Sequence, residues 1–368
     1  MQPESSVRKV LIYRLGSLGD TVIALPCFHR IASAFPNAER MLLSNFPVHV
    51  KAPASAAVLD GSGLVHGYMR YTVGTRNLGE LLRLMWKIRR FRPDLLVYVM
   101  PLRGQKALKR DALFFRLCGI PRIVGIPEGD TAQNRYDAET GMWEREASRL
   151  LRCIQPLGDN DVSDLRNWDL LLTDAETNKA DRLLASLGNR PIIACGPGTK
   201  MQSKDWGPEK WRELLERLRA EFPHHALVLI GADEDKSVSE YASSGWKGPK
   251  VNLCGELTPR ESAAVIRHAK LFLGPDSGPM HLAAAYDVPC AVPFASLDRR
   301  GRWFPIGEGH QPIYHDVPCS NCRLQVCVEQ QKQCINSITV DEMFQAALRA
   351  IGRKENANER RTAAQAGD

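Results

Sequence analysis

Apolar and polar positions alternate along this chain in two patterns. Short continuous apolar runs, typical of strands buried on both faces of a sheet, are separated by longer segments in which apolar residues recur every three to four positions. The second pattern is that of amphipathic helices. In the first half, the patterns predict strands and helices in alternation: strands at 9–13, 40–44, 95–99 and 122–126, and helices at 20–35, 77–91 and 105–118.

The second half is more regular. The patterns predict five strands (191–195, 225–230, 251–253, 271–274 and 289–294) and four helices (208–221, 234–243, 259–269 and 278–286). Between the halves, residues 127–168 are irregular, with one helix near 143–155. The alternation predicts an α/β fold of two doubly wound, Rossmann-like domains with parallel sheets. We expect domains at 1–170 and 171–352, and a disordered tail at 353–368, which has little apolar content.

The segment LFLGPDSGPMHLAAA, residues 271–285, predicts a strand, a tight turn and a helix. Ser277 can cap that helix, Gly278 allows a ligand close to the backbone, and the N–H groups of the first turn are free to bind an anion. His281 lies about one turn after Ser277 and can face the same site, as can Asp276. The alternative is an ordinary strand-to-helix turn with a polar cap and a core histidine.

A second segment, IIACGPGTKMQSKDWGPEKW at 192–211, places a polar loop between a strand and a helix. The loop contains Thr199, Lys200 and Lys204, and the helix starts near Pro208, where proline is favoured. A hydroxyl, glycines and two lysines suit phosphate binding. The alternative is a solvated basic loop.

A third segment, KVLIYRLGSLGDTVIALP at 9–26, predicts a buried strand, a loop bracketed by Gly16 and Gly19, and a helix that begins at Asp20. The glycine spacing is not the dinucleotide fingerprint, and no lysine follows as in a P-loop. This disfavours a nicotinamide dehydrogenase. Asp20 can also be a purely structural N-cap, worth about 1 kcal/mol.

Together the three segments resemble glycosyltransferase family 9, the bacterial lipopolysaccharide heptosyltransferase family. The resemblance rests on LGSLGDTVIALP, GPGTKMQSKDWGPE and DSGPMHLAAA and extends over residues 8–350. It implies the GT-B arrangement, in which two Rossmann-like domains face one cleft. It also implies inverting, metal-independent transfer of a heptose from ADP-heptose to a lipid-linked sugar of the lipopolysaccharide inner core, without a cofactor.

The resemblance also implies individual roles. Asp20 matches the catalytic base and Lys204 the phosphate-binding lysine. The remaining donor-binding matches are Thr199, Lys200, Glu261, Asp276, Ser277, Gly278 and His281, with Glu261 near the ribose. Three alternatives stay open: another nucleotide-sugar donor, a GT-B epimerase whose additional acid–base carboxylates we cannot place, and a non-catalytic glycan-binding relic.

The charge distribution is uneven. The net charge is +7, and nine Lys/Arg lie between Arg83 and Arg110 against one acid, Asp94. An apolar helical stripe occurs in the same region: Leu81, Leu84, Met85, Ile88 and Phe91. This is either a core-packed helix with a solvated basic face or a surface that meets anionic lipid. A nucleic-acid partner is disfavoured, because no recognised binding module occurs.

Nothing in the sequence predicts membrane insertion or export. No run of 18 apolar residues occurs, and the first residues lack the apolar core of a signal peptide. We therefore expect a cytoplasmic protein, and peripheral contact at the inner face of the inner membrane stays open as an alternative to a fully solvated basic face.

Four of the ten cysteines crowd together near the end of the chain: Cys319, Cys322, Cys327 and Cys334. Such a cluster is a candidate zinc or iron–sulfur site, although its spacing fits no standard pattern. A redox-sensitive clip and reduced thiols are the alternatives. Many members of the resembled family carry similar clusters without depending on a metal.

Overall fold

The computed structural model describes residues 7–45, 55–72, 74–75 and 77–365, with Tyr71 and 353–365 described by backbone only. It divides into two compact units, Met1–Thr173 and Asp174–Asp368. The predicted boundary after residue 170 lies close to this division.

The first unit is built on a parallel sheet whose strand order is β3-β2-β1-β4-β5. A two-stranded antiparallel ribbon, β6-β7, follows it in the chain. The elements of the unit are β1 (Lys9–Tyr13), α1 (Leu18–Ile23), α2 (Leu25–Ala34), β2 (Glu39–Asn45), α3 (Ala56–Leu59), β3 (Gly67–Tyr71), α4 (Leu78–Phe91), β4 (Leu95–Tyr98), α5 (Gln105–Leu117), β5 (Ile123–Val124), β6 (Tyr136–Asp137), β7 (Met142–Trp143) and α6 (Glu146–Cys153).

The second unit contains a six-stranded parallel sheet of order β10-β9-β8-β11-β12-β13. Its elements are α7 (Asp174–Leu184), β8 (Ile192–Cys195), α8 (Pro208–Glu221), β9 (Ala226–Leu229), α9 (Lys236–Ala242), β10 (Lys250–Asn252), α10 (Pro259–Ile266), β11 (Ala269–Leu273), α11 (Gly278–Ala285), β12 (Cys290–Phe294), β13 (Gln311–Tyr314), α12 (Gln333–Asn336) and α13 (Val340–Gln365).

The first predicted helix, 20–35, is two helices in the structure. α1 begins at Leu18 and ends at Ile23, and α2 begins at Leu25. The break occurs because Pro26 has no N–H to continue the α1 hydrogen-bond ladder, whereas proline is favoured in the first turn of a new helix.

The apolar runs did not predict the short ribbon strands β6 and β7, nor two strands at the edges of the parallel sheets, β3 and β13. The latter two are informative. Their sequences, GYMRY and QPIY, mix polar and apolar residues. An edge strand is partly solvated and tolerates proline, so it lacks the continuous apolar run of a central strand. Sequence patterning therefore found the centre of each sheet and missed one edge.

The chain end also differs from expectation. α13 continues to Gln365, through most of the segment predicted to be disordered, and 366–368 lie outside the described residues. The segment lacks proline and, after Gly352, is rich in Lys, Glu, Ala, Arg and Gln until Gln365. These residues favour helix despite the low apolar content.

Each parallel sheet reverses its winding direction at one place: between β1 and β4 in the first unit, and between β8 and β11 in the second. In open α/β sheets, ligands bind at the carboxyl ends of the strands beside such a switch point. The loops that follow these strands carry the three segments singled out from the sequence.

Candidate functional sites at the two switch points

Asp20 lies beside the switch point of the first unit, on α1. Its Oδ2 accepts hydrogen bonds from the Ser17 backbone N–H and the Ser17 hydroxyl, both at 2.8 Å. Ser17 is the N-cap residue, so Asp20 is the third residue of the helix. The alternative in which Asp20 is itself the N-cap is therefore wrong in position, because Ser17 is the N-cap. The carboxylate closes the loop as a capping box does, and its side chain remains 26% exposed.

Arg14 lies beneath Asp20 and is completely buried. Its guanidinium donates to the backbone carbonyls of Asp20 and of Val99, which follows β4, and Nη2 lies 3.7 Å from Asp20 Oδ1. Burial lowers the pKa of Arg14, and the Asp20 and Glu146 carboxylates oppose that shift. Arg14 thus joins the two strand ends at the switch point and places positive charge beside the carboxylate.

Gly16 leaves room for the Asp20 side chain. A Cβ on Gly16 would lie 2.4 Å from Asp20 Cβ and 2.7 Å from Asp20 Cγ. The Gly16 N–H also donates to Asn45 Oδ1 at 2.9 Å, which ties the loop to the end of β2. The glycine is therefore required by a close approach of side chain to backbone.

Gly16→Ala is expected to displace Asp20 and to lower the free energy of unfolding by about 1–3 kcal/mol, the usual cost of overpacking. Urea unfolding of the two proteins measures the difference. Gly352→Ala is the matched control, because a Cβ there meets nothing within 4 Å. Equal stability of Gly16→Ala and the parent would show that Asp20 is not held as described.

In the second unit, Lys204 and Asp276 join the loops that follow β8 and β11. Lys204 Nζ lies 2.6 Å from Asp276 Oδ2 and donates to the Asp276 carbonyl at 3.1 Å. The lysine and aspartate side chains are 18% and 11% exposed, respectively. Two residues that are 72 positions apart in sequence therefore form one ion pair at the switch point between β8 and β11.

Close backbone packing brings these two loops together. A Cβ on Gly274 would lie 2.9 Å from the Gly196 carbonyl oxygen, and one on Gly196 would lie 3.0 Å from the Ile230 carbonyl oxygen. A Cβ on Gly198 would lie 2.2 Å from Asp235 Cγ. Side chains are too crowded at these three positions, so packing explains Gly196, Gly198 and Gly274 whatever ligand they meet.

Ser277 is the N-cap residue of α11 by position, but its side chain does not cap the helix. Its Oγ is buried and has no hydrogen-bond partner among the described residues. The expectation that Ser277 caps the helix through its hydroxyl is wrong. A buried hydroxyl next to Asp276, at the start of a helix whose first residue is Gly278, is instead available to an anion.

His281 lies near the same ion pair. Its Nε2 is 4.0 Å from Asp276 Oδ1, and the side chain is buried. Lys200 forms a separate ion pair with Glu234, and the Thr199 hydroxyl accepts a hydrogen bond from the Met201 N–H at 3.3 Å. The structure therefore brings Lys204, Asp276 and His281 together, while Lys200 is engaged by another acid.

Glu261 is a capping-box residue of α10. Its Oε2 accepts from the Thr258 N–H at 2.8 Å and lies 3.0 Å from Lys179 Nζ on α7, while the Thr258 hydroxyl accepts from the Glu261 N–H at 3.2 Å. Burial opposes ionisation, but the hydrogen bonds from Thr258 and Lys179 lower the pKa of Glu261 overall. These contacts give Glu261 a structural role without a ligand.

Glu261→Gln is expected to be less stable than the parent protein at neutral pH. The folded pKa of Glu261 is below its ordinary value of 4.5. Its contribution to stability is therefore present above about pH 4.5 and is lost as the pH falls through the folded pKa. Urea unfolding at neutral and acidic pH should show a stability difference that shrinks in acid. A difference that does not change with pH would contradict this role.

The four clustered cysteines do not form a metal site in the structure. All four are free; Cys319 and Cys322 are half-buried, and Cys327 and Cys334 are buried. Over the described ranges, no group of three or more His, Cys, Asp or Glu side chains is arranged to hold a metal ion. Two of them contribute to packing: Cys334 lies in the core of the second unit, with Cys322 packed against that core.

Sequence reasoning missed Arg14. An arginine at the end of an apolar strand is ordinarily solvated. One signal could have predicted its burial. Arg14 directly follows β1, whose last four residues are all buried. Asn45, at the end of β2, was missed for the same reason.

The part of the chain that the structure describes contains no helix with the length and apolar character that a membrane-spanning segment needs.

The sequence is similar to curated heptosyltransferases. It is 33% identical to lipopolysaccharide heptosyltransferase 3 of Escherichia coli over 45% of this chain, and the match spans only 53% of that relative's length. It is 23% identical to lipopolysaccharide heptosyltransferase 1 of Pseudomonas aeruginosa, over 88% of each chain.

The fold is similar to that of a solved E. coli structure, "ADP-heptose lps heptosyltransferase II". The TM-score is 0.62 at 19% identity, and the match covers 94% of this chain and 99% of that one. At this identity the likeness concerns the fold, which is that of the GT-B heptosyltransferases with two Rossmann-like domains. The family model described as "Glycosyltransferase family 9 (heptosyltransferase)" matches residues 142–333, more than half of the chain. The protein therefore belongs to glycosyltransferase family 9, the heptosyltransferase family.

Proposed function

We propose that this protein transfers a heptose from ADP-heptose to a sugar of the lipopolysaccharide inner core, with inversion at the anomeric carbon and without a catalytic metal. The observation that carries the proposal is the Lys204–Asp276 pair beside the buried, unpartnered Ser277 hydroxyl. Together they place an ammonium group, which is held by a carboxylate, and a hydroxyl at a helix N-terminus, an arrangement that suits a nucleotide diphosphate. The family and the names of its relatives supply the sugar.

Asp20 acts as the base in this proposal. It takes the proton from the acceptor hydroxyl while that oxygen forms its bond to the anomeric carbon. The bond from the anomeric carbon to the diphosphate oxygen breaks at the same time, and the electron pair leaves with ADP. Two hydrogen bonds from Ser17 fix the carboxylate, and Arg14 Nη2 lies 3.7 Å from its Oδ1.

Lys204 stabilises the departing diphosphate. An ammonium group has three N–H donors, and Asp276 takes two of them, one through its carbonyl and one through its carboxylate. The third donor is left for a phosphate oxygen, whose negative charge grows as the bond to the sugar breaks. Ser277 Oγ and the N–H of Gly278 add donors from α11. In this proposal the Lys204 ammonium and the donors at the start of α11 stabilise the leaving group in place of a metal ion.

Asp276 and the remaining family matches complete the donor site. Held by Lys204, the Asp276 carboxylate is the group that we assign to the hydroxyls of the donor sugar. His281 follows it on α11 and is assigned to the same donor. Thr199 and Lys200 are proposed as neighbouring donor contacts, and Glu261 as a ribose contact that keeps its capping role.

A thermal-shift panel with ADP, ADP-heptose, UDP, GDP and NAD tests the choice of nucleotide. A ligand at 100 times its dissociation constant adds about 2.7 kcal/mol to stability, which a melting curve resolves. We expect selective stabilisation by ADP and ADP-heptose. Preferential stabilisation by UDP or GDP would assign another donor, and no response to any nucleotide would favour a non-catalytic relic.

A further inference from the structure

Two helices of the first unit carry a row of apolar side chains on their outer faces. Five such residues are each at least 54% exposed: Leu78, Leu82 and Trp86 on α4, and Leu113 and Leu117 on α5. A spacing of four residues places each set along one face of its helix. Large apolar side chains in such a row are unusual on a surface that meets only water.

These residues are not a misplaced core face. The opposite faces of the same helices supply Leu84, Ile88 and Phe91 from α4, and Leu108 and Phe115 from α5, to one buried cluster. The sequence stripe at 81–91 is thus core packing, as one interpretation held. The outward row is a second apolar feature of the same segment, and the sequence analysis identified only the core-facing stripe.

Basic side chains surround the outward row. α4 and α5 carry eight exposed Lys or Arg residues: Arg83, Lys87, Arg89, Arg90, Lys106, Lys109, Arg110 and Arg116. The two helices contain only two acids, Glu80 and Asp111. Asp111 is buried and accepts hydrogen bonds from Tyr98 and Arg110. The outer surface is therefore strongly cationic.

A hydrogen bond joins the carboxyl ends of the two helices. Arg89 Nη2 on α4 donates to the Leu117 carbonyl at the end of α5, at 2.8 Å. The Arg90 guanidinium lies 5.4 Å from the centroid of the Trp86 ring. We call the outward residues of α4 and α5 the basic–apolar face.

We propose that the basic–apolar face docks on a bilayer that contains anionic lipid. Leu and Trp side chains enter the boundary between headgroups and acyl chains, while the surrounding cations bind lipid phosphates. Charge complementarity selects this occupant. A nucleic acid would engage the cations but leave the leucines in water, whereas a bilayer with anionic lipid offers phosphates to the cations and an acyl-chain boundary to the apolar row. The inference stands independently of the proposed transfer reaction.

Co-sedimentation of the full chain with phosphatidylethanolamine vesicles, with and without phosphatidylglycerol, tests the proposal. We expect binding only with phosphatidylglycerol, weakened by salt. Arg83→Gln with Lys87→Gln should weaken the partition about 25-fold, at about fivefold per cation. Leu82→Ser with Trp86→Ser should weaken it about tenfold or more through lost apolar burial. Melting curves confirm that each variant folds.

Arg182→Gln with Lys247→Gln is the matched control, because both residues are exposed cations of the second unit. It should bind vesicles like the parent protein. Asp20→Asn should also bind normally, so a failure of the catalytic assignment is distinguishable from a failure of this one. Equal vesicle binding by all variants overturns the proposal. A second outcome also overturns it. In that outcome the parent protein does not bind vesicles but self-associates or binds RNA, and the Leu82→Ser, Trp86→Ser variant has lost that association.

Discussion

Replacing Asp20 by asparagine is expected to slow transfer about 10²–10⁴-fold, the usual contribution of a positioned general base. The amide oxygen of asparagine can still accept the Ser17 N–H bond that now holds Oδ2, so the loop should keep its shape. What is lost is the ability to take a proton. The measurement is the initial rate with saturating donor, together with donor affinity, which should be nearly unchanged.

Asp94→Asn provides the matched control. Asp94 Oδ2 also accepts two hydrogen bonds at one end of β1, from the N–H groups of Arg8 and Lys9 at 2.8 and 2.9 Å. It lies at the amino end of the strand, away from the switch-point edge. Its variant should transfer at the parent rate. An Asp20→Asn protein that retains the parent rate would remove Asp20 from the mechanism.

Lys204→Ala is expected to weaken donor binding and slow transfer together, lowering kcat/KM about 10–100-fold. The estimate follows from the loss of a charge-assisted hydrogen bond, worth about 1.5–3 kcal/mol. The substitution also leaves the Asp276 carboxylate, only 11% exposed, without its cation. We therefore expect a lower melting temperature as well, and partial recovery of all three properties in Lys204→Arg.

Arg217→Ala separates the effect of losing an ion pair on stability from the effect of losing Lys204 on donor binding. Arg217 Nη1 lies 2.6 Å from Asp341 Oδ1, so this variant removes another short ion pair from the same unit. That pair is more exposed, and its loss should cost little stability and no donor affinity. Normal donor affinity and rate in Lys204→Ala would show that the lysine does not hold the diphosphate.

The centre of each sheet could be predicted from the sequence because parallel strands are buried on both faces. β8 and β9 are buried along their whole length, and their apolar sequences, IIAC and ALVL, predict that burial. Edge strands β3 and β13 give no such signal. The pairing of Lys204 with Asp276 was implicit in the topology, since carboxyl ends of adjacent parallel strands meet at one edge of a sheet.

Other features of the sites depend on tertiary packing that local sequence does not encode. Arg14 is buried, and its guanidinium donates to the carbonyls of Asp20 and of Val99, a residue 85 positions away in the sequence. Ser277 matches a capping residue by type and position, yet its hydroxyl makes no cap. Glu261 was assigned from family position alone, whereas the TPRE sequence at 258–261 is a capping-box signal that the structure fulfils.

The most direct test of the central claim is transfer itself, with purified protein, ADP-heptose and lipopolysaccharide inner core that lacks the heptose. Mass spectrometry and NMR then follow the acceptor and the anomeric centre. The proposed function predicts ADP release, an acceptor heavier by one heptose, and an anomeric configuration opposite to that of the donor. Transfer with retained configuration, or transfer only from a different nucleotide sugar, would contradict it.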